Sequence, residues 1–246
     1  NLLGNTRLLG LRTRLDRDFQ EGRVYLTQPP LRQLPLQSTI TGYWTDEKVR
    51  NAYNLETLGF TFQQEGRLGE KFLFSYGYRY EKKHASLLSD PLFPNLHYSV
   101  APLLATLSRT SRDDYLDPTR GSFTSHAVEF APEALGSTFG YVRYFGQYFK
   151  YSPIFQPQYV PFGGETKRPR LIYATGLRVG LMKGLTRADI VPSERFFAGG
   201  GTTVRGFEQD KLGPLDRFGN PLGGNAMFIL NNELRFPFIS ILDAVG

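Results

Sequence analysis

A row of aromatic residues at every second position is the feature that most constrains this chain. Between Glu70 and Tyr80, one face of an extended strand carries five aromatic side chains in succession: Phe72, Phe74, Tyr76, Tyr78 and Tyr80. The opposite face carries Lys71, Leu73, Ser75, Gly77 and Arg79. This period of two predicts a β-strand, because successive side chains of a strand point to opposite faces. Such a strand requires an apolar neighbour along its whole length.

The same alternation recurs along the chain and predicts an all-β fold. It is clear from Leu171 to Leu181 and from Ala226 to Phe236. Weaker forms occur near residues 6–16, 22–29, 36–45, 54–64, 97–108, 121–131, 138–151, 195–200 and 204–211. The 26 glycines and 16 prolines among 246 residues disfavour long helices. About 12 candidate strands of roughly ten residues, joined by turns and longer loops, are typical of an antiparallel transmembrane β-barrel.

The polar faces of these strands favour a membrane barrel over a soluble β-sandwich, which also shows alternation at this spacing. They carry glycine, hydroxyl, asparagine, glutamate and arginine residues, which suit a water-filled lumen. The alternation places Arg79, Arg178 and Arg235 on the inner face, where they avoid a cost of about 2–4 kcal/mol at the lipid-facing midplane. The range 138–151 has aromatic residues on both faces, so its lipid face stays unassigned. Solubility without detergent would favour the sandwich instead.

Composition excludes several other classes of protein. No stretch approaches 18 consecutive apolar residues, so no transmembrane helix is predicted. The absence of cysteine excludes disulfide frameworks, thiolate zinc sites and cysteine nucleophiles. The net charge is +6, yet the basic residues are scattered without a run of four or more. A nucleic-acid partner is therefore not expected.

No arrangement typical of catalysis is present. The three histidines lie far apart in the sequence: His84, His97 and His126. Ser125 precedes His126, but no third member of a hydrolytic triad is evident, and no hydrolase or metalloprotease motif occurs. The acidic stretch 113–117 has enough carboxylates for calcium, although an acidic turn is the simpler interpretation. The glycine-rich run 198–203 lacks the Gly-Lys-Ser/Thr end of a phosphate loop. We predict no enzyme activity, no cofactor and no metal.

The segment from Arg195 to Phe207 reads Arg-Phe-Phe-Ala-Gly-Gly-Gly-Thr-Thr-Val-Arg-Gly-Phe. It resembles the signature loop of the outer-membrane assembly barrels, the superfamily of BamA, TamA, Sam50 and Toc75. Further stretches resemble the same family in the same order: Asp117–Phe123, Leu212–Pro214, Gly223–Ala226 and Asn232–Pro237. The resemblance therefore covers most of the chain and is more specific than its four-residue core, 204–207.

This resemblance implies an architecture and a location. Family members have a barrel of roughly 16 strands, preceded by periplasmic domains called POTRA. Residues 1–246 correspond to about 12 of those strands, from the second to the thirteenth. We therefore expect an incomplete transmembrane β-barrel domain, with both ends of the barrel sheet missing and with POTRA domains upstream of it. The location implied is the bacterial outer membrane.

The resemblance also implies a set of site residues. Those of the signature loop are Gly199, Gly200, Val204, Arg205, Gly206 and Phe207. Those of a periplasmic turn are Asp117, Pro118, Arg120 and Gly121. The partner implied for Arg205 is Glu233, which the alternation places on the inner face of its strand. A glycine run lets the backbone turn at positive φ, and a guanidinium suits a carboxylate partner. We expect this ion pair to be desolvated, so that losing one partner costs about 3–5 kcal/mol.

The function implied is that of an assembly factor, which folds β-barrel proteins and inserts them into the outer membrane. The alternative is a polypeptide secretion pore of the two-partner type, from the same superfamily. The partners expected are unfolded outer-membrane protein clients, the lipid bilayer, and accessory lipoproteins or a periplasm-spanning partner. The mechanism expected is strand addition at a sheet edge combined with local thinning of the bilayer. Trp44, Tyr78 and Tyr80 are candidate anchors at the membrane interface.

Overall fold

The computed structural model describes residues 7–30, 35–49, 53–87, 95–155, 171–186, 190–217, 219–239 and 242–245. These ranges form one antiparallel sheet of twelve strands. The strands are β1 (Leu8–Leu15), β2 (Phe19–Gln28), β3 (Gln37–Val49), β4 (Tyr53–Leu68), β5 (Phe72–Leu87), β6 (Leu96–Val100), β7 (Leu103–Thr110), β8 (Gly121–Ala131), β9 (Tyr141–Phe155), β10 (Leu171–Gly184), β11 (Ala226–Ile239) and β12 (Leu242–Val245). Two short 3-10 helices lie between strands, at Glu133–Leu135 and Pro192–Glu194. Within the described ranges, no helix is long and apolar enough to cross a membrane.

Neighbours in the sheet are neighbours in the chain, with one exception. Consecutive strands pair from β1 to β5 and from β7 to β12, while β6 and β7 both pair with the same edge of β5. Among the described residues, no pairing joins β1 to β12, so these two strands are the edges of the sheet. The predicted all-β antiparallel class is confirmed, and the sheet is open in this chain.

The hairpins define two ends of the sheet. The β4–β5 and β7–β8 connections, residues 69–71 and 111–120, lie together because Phe72 and Arg109 are partners in register. We call this the turn end. The β8–β9 connection, residues 132–140, begins at the opposite end, which we call the loop end, as does the β10–β11 connection, of which residues 185–186, 190–217 and 219–225 are described.

The register gives each strand an inner and an outer face. On the inner face, the guanidinium Nη2 of Arg79 lies 3.2 Å from a carboxylate oxygen of Glu129. Arg178 and Arg235 line the inner side next to the 185–225 segment. The inner placement predicted for all three arginines is therefore confirmed. Large apolar side chains cover the outer face, where Leu58 is 60% and Phe228 is 71% exposed.

The outer apolar band has the height of a bilayer core. On β5 it runs from Phe72 to Lys82, roughly ten residues, which span about 25 Å at the tilt usual for barrel strands. Trp44 lies in the same register row as Lys82, at the loop-end border of this band. The indole N–H of Trp44 donates to Oε1 of Glu56 at 2.9 Å. Trp44 thus has an apolar ring and a satisfied polar group at the height where interfacial anchors are expected.

Two sequence predictions require correction, and one range that was left unassigned can now be assigned. The ranges 195–200 and 204–211 are not strands of the sheet; they belong to the 185–225 connection and form only isolated bridges. The range 97–108 is interrupted at Ala101–Pro102, because Pro102 has no N–H with which to continue the ladder. For the range 138–151, the sequence did not indicate which face meets lipid. The structure shows that the face carrying Arg143 and Phe145 is the inner one. The ring of Phe145 points inward, where it packs against Phe196 of the β10–β11 connection.

Candidate functional site

The connection between β10 and β11 folds back against the inner face of the sheet. The ring of Phe196 stacks on Phe145 of β9, with centroids 6.2 Å apart. It also lies over Gly180 of β10, where a Cβ would be 2.9 Å from the ring. Further along, the side-chain amide of Asn231 donates to the carbonyl of Thr203 at 2.9 Å. We call the residues 190–225 the inner loop; residue 218 lies outside the described ranges.

The inner loop is held together by contacts between its two legs, residues 195–198 and residues 212–224. Phe196 and Gly224 exchange two backbone hydrogen bonds of 3.0 and 2.8 Å, and the N–H of Leu212 donates to Ala198 at 2.9 Å. The side chain of Arg195 links the beginning and the end of the loop. Its Nε donates to the carbonyl of Ile190 at 3.0 Å and its Nη1 to that of Leu222 at 3.5 Å. The loop is therefore an ordered hairpin-like unit with its own hydrogen bonds.

Glycines at the turn of the inner loop adopt left-handed conformations, as the sequence predicts. The φ angles are 115° at Gly199, 88° at Gly200 and 87° at Gly206. At Gly199 a Cβ would also meet the carbonyl oxygen of Glu208 at 2.3 Å. The hydroxyl of Thr203 closes this turn, because it accepts from the N–H of Gly199 and donates to its carbonyl.

At the tip of the loop, Arg205 lies against the wall at β11. Its Nη2 is 3.3 Å from Oε1 of Glu233, and Arg235 approaches the other carboxylate oxygen at 3.4 Å. Val204 is half-buried, whereas the ring of Phe207 is 52% exposed. A cavity of about 520 Å³ lies beside these contacts and is lined by the tip and by residues of β9, β10 and β11.

The predicted desolvation of this ion pair is wrong for the residues described. The side chain of Arg205 is 61% exposed and that of Glu233 is 22% exposed. Both side chains line the cavity of about 520 Å³, so the ion pair borders open space instead of packed side chains. An exposed ion pair contributes only about 0–1 kcal/mol.

The most buried ion pair of the inner loop lies at its beginning, and sequence reasoning missed it. Nζ of Lys83 on β5 is 2.6 Å from Oε1 of Glu194, and the two side chains are 11% and 3% exposed. Arg143 donates to the backbone carbonyl of Glu194 at 3.2 Å. The alternation on β5 places Lys83 on the same face as Arg79, and that was the available signal. Nothing local in the sequence indicates that Glu194 is its partner.

Two further carboxylates complete an inner-face charge network. Glu129 accepts from Arg143 at 2.5 Å, from Arg79 at 3.2 Å and from the hydroxyl of Tyr141 at 3.3 Å. Glu81 contacts Lys83 at 3.1 Å and Arg79 at 3.4 Å. The network therefore joins β5, β8 and β9 to the start of the inner loop.

At the turn end, residues 111–120 form an ordered turn organised by an aspartate that the resemblance did not single out. One carboxylate oxygen of Asp113 accepts the N–H groups of Asp114, Thr119 and Arg120, each at 3.0 Å. The other accepts the hydroxyl of Thr119. This supports the interpretation of the acidic stretch as a turn. The carboxylate bonds to the backbone of its own turn.

The four predicted turn residues lie around this aspartate. Pro118 is buried, and the N–H of Asp117 donates to Asp114 at 3.1 Å. Arg120 is exposed and donates its N–H to Asp113. Gly121 has a φ of 99°, and a Cβ there would lie 2.2 Å from the carbonyl oxygen of Ser111. Glycine is thus the residue that this position accommodates.

The turn is expected to lose stability in acid. Slight burial acts to raise the pKa of Asp113, but the bonds from Thr119, Arg120 and Asp114 outweigh it and hold the pKa below its ordinary value. A carboxyl with a depressed pKa stabilises the folded form above its unfolded pKa and loses that contribution below about pH 4. Because Asp113 is exposed, we expect less than about 1 kcal/mol. Hydrogen exchange of the 111–120 peptide should therefore accelerate below about pH 4, after correction for intrinsic rates.

The control for this pH effect is Asp113→Asn, which keeps a side-chain acceptor but does not titrate. Its turn should exchange faster than wild type at pH 7 and show no additional acceleration in acid. Equal acid acceleration in wild type and Asp113→Asn would contradict the assignment.

Comparison with known proteins places these features in context. A model of the Omp85 superfamily domain matches residues 1–245. A SAM50-like protein of Schizosaccharomyces pombe is 27% identical over 132 residues, covering 54% of this chain and 26% of that protein. The outer membrane protein assembly factor BamA of Neisseria meningitidis serogroup B is 31% identical over 141 residues, covering 55% of this chain and 16% of that protein.

The fold also matches a solved structure. The crystal structure of BamA from Haemophilus ducreyi lacking POTRA domains 1–3 superposes with a TM-score of 0.80 at 18% identity. The match covers 95% of this chain and 48% of that one. At this identity the likeness concerns the fold alone. The chain spans about half of the solved structure, and the matches cover 26% and 16% of the two sequence relatives.

Proposed function

Because the chain belongs to the Omp85 superfamily, we propose that it is part of a protein that folds β-barrel proteins and inserts them into an outer membrane. The observation that carries the proposal is the inner loop, which has left-handed glycines at its turn and places Arg205 beside Glu233 on the inner face of an antiparallel sheet. The relatives include a BamA and a SAM50-like protein, so an outer membrane is the location. That this membrane is bacterial is part of the proposal.

The remaining parts of the protein and its partners are proposed on the same basis. Residues 1–246 are an incomplete barrel domain, preceded by POTRA domains. The clients are unfolded outer-membrane proteins, and the outer apolar band suits a lipid bilayer around the sheet. Accessory lipoproteins or a periplasm-spanning partner complete the assembly. The protein acts as a template and makes or breaks no covalent bond, so it needs no catalytic residue, cofactor or nucleic acid.

The chemistry available to this chain is that of hydrogen bonding and packing. A client strand adds to a sheet by pairing its backbone with the N–H and C=O groups of an edge. The inner loop contacts the inner face of the sheet through Phe196 on Gly180 and Arg205 on Glu233. A braced wall keeps its register while an edge exchanges partners. We propose that this bracing is the role of the signature loop.

The test is a timed folding assay with the full-length protein in liposomes. An unfolded outer-membrane β-barrel protein is added from outside, and its folding is compared with that in empty liposomes. We expect acceleration by the wild type. In Arg205→Ala the rate should fall about two- to five-fold, in line with an exposed ion pair worth up to ~1 kcal/mol. Lys211→Ala is the matched control, because Lys211 forms an exposed pair within the loop, with Glu208 at 2.8 Å.

Three results would each contradict a part of the proposal. If the wild type does not accelerate folding but exports a polypeptide or conducts ions, the protein is a secretion pore of the same superfamily. If Arg205→Ala and Lys211→Ala slow folding equally, the tip ion pair has no specific role. Hydrolysis of phospholipid in detergent would identify an enzyme instead.

A further inference from the structure

We infer that the buried pair Lys83–Glu194, at the root of the inner loop, positions the whole loop, while the Arg205–Glu233 pair locates only its tip. We define the root as residues 190–196 and the tip as residues 201–207. The inference deepens the proposed function and rests on it only for the consequence in assembly. The position of the loop can be measured separately.

The burial of the root pair is the first argument. Lys83 lies 2.6 Å from Glu194 and 3.1 Å from Glu81, and all three side chains are at most 11% exposed. A charge that loses its partner in such surroundings cannot be compensated by water, so the pair strongly disfavours separation. At the tip, solvent replaces either partner readily, because Arg205 is 61% exposed.

The root also contacts several strands of the sheet. Ser193 shares a hydrogen bond of 2.5 Å with the hydroxyl of Tyr98 on β6. Arg143 on β9 donates to the carbonyl of Glu194 at 3.2 Å. Ile190 belongs to the buried apolar cluster with Tyr98 and Met182, and Phe196 packs against it. The root is thus fixed to β5, β6, β9 and β10.

The tip has far fewer attachments to the wall among the described residues. They are the Arg205–Glu233 contact at 3.3 Å and the hydrogen bond from Asn231 to Thr203 at 2.9 Å. The cavity of about 520 Å³ lies under the tip and leaves room for it to shift. The contrast predicts that the tip can move about a fixed root, whereas loosening the root displaces the entire loop.

Distances between spin labels can test this directly. Residues 1–246 contain no cysteine. Any cysteine elsewhere in the full-length protein is first replaced by serine, so that only the introduced pair is labelled. Glu70→Cys at the turn end serves as the common reference. It is combined with Thr202→Cys at the tip or with Leu215→Cys in the body of the loop. All three positions are exposed. The measurement is the width of each distance distribution by pulsed electron paramagnetic resonance.

Different variants should affect the two distances differently. In Arg205→Ala, only the distance to Thr202 should broaden. In Glu194→Gln, which keeps the shape but removes the charge, both distances should broaden at least two-fold. Lys83→Met should do the same, and Lys83→Arg, which keeps charge and donors, should restore narrow distributions. Glu208→Gln is the matched control on an exposed pair, with Glu208 69% exposed.

The outcomes separate the inference from the proposed function. Narrow distributions in Glu194→Gln would overturn the inference, whatever the folding assay gives. If Lys83→Met does not fold, Glu194→Gln decides alone, since it leaves a hydrogen-bond acceptor for Lys83. Broad distributions with an unchanged client-folding rate would keep the positioning role and remove the loop from the proposed function. Broad distributions rescued by Lys83→Arg together with a slowed client-folding rate support both.

Discussion

Replacing Glu129 by glutamine is expected to lower the free energy of unfolding of the barrel by about 3 kcal/mol, the lower end of the range for breaking a buried ion pair. Glu129 is 15% exposed and accepts from Arg143 and Arg79, which are 23% and 21% exposed. Glutamine fills the same volume and keeps one acceptor oxygen. It removes the negative charge that these guanidinium groups face, and water reaches the site too poorly to replace it.

The measurement is urea unfolding of the full-length protein in liposomes, followed by the mobility shift between folded and unfolded barrel on gels. Glu208→Gln is the matched control, because it makes the same chemical change in an exposed pair with Lys211. The control should change stability by less than about 0.5 kcal/mol. A loss below about 1 kcal/mol in Glu129→Gln would show that the network is solvated and does not hold the wall together.

Replacing Gly199 by alanine is expected to unfold the turn of the inner loop while the barrel stays folded. Its φ of 115° is a conformation that residues with a side chain rarely adopt, and a Cβ would lie 2.3 Å from the carbonyl of Glu208. Strain and displacement together should cost about 2–4 kcal/mol. Since the contacts between the legs are local, this cost falls on the loop rather than on the sheet.

Trypsin provides the measurement, because Arg205 and Lys211 lie in the loop beyond the turn. Cleavage that depends on opening of the loop should accelerate on the order of a hundredfold in Gly199→Ala. Gly201→Ala is the control in the same glycine run, since a Cβ there meets nothing within 4 Å and the φ is not left-handed. Comparable cleavage rates in the two variants would mean that the turn tolerates a side chain at Gly199.

The two-residue period predicted most of the fold because it records which side of each strand meets lipid. An arginine facing hydrocarbon is costly, so Arg79, Arg178 and Arg235 had to share the inner face, and they do. The same logic could not assign the range 138–151. There the inner face meets the aromatic side of a loop as well as solvent, so Phe145 stacks on Phe196 instead of facing lipid.

The signature loop was identified from its residues, but the prediction of which ion pair in the loop is buried was wrong. The sequence indicates the glycine turn and pairs Arg205 with Glu233 by resemblance, and the structure brings these side chains within 3.3 Å. It also shows that the tip is exposed and that the buried pair is Lys83–Glu194. Those two residues are separated by 111 positions in the chain. No local sequence pattern indicates which inward-facing lysine forms an ion pair with which carboxylate of the loop.

The features that could be predicted from the sequence are therefore local: strands, their inner and outer faces, the positive-φ glycines and the family motif. The strands, their faces and the glycine turns follow from a residue's own backbone preference or from one side of a strand meeting a uniform environment, whereas the motif was identified by its resemblance to a known family. Three features became visible only in the folded chain: the pairing of distant charges, the burial of Glu194 against the exposure of Arg205, and the role of Asp113. Burial and partner choice depend on where other segments lie after folding, and the free energy of an ion pair depends on both.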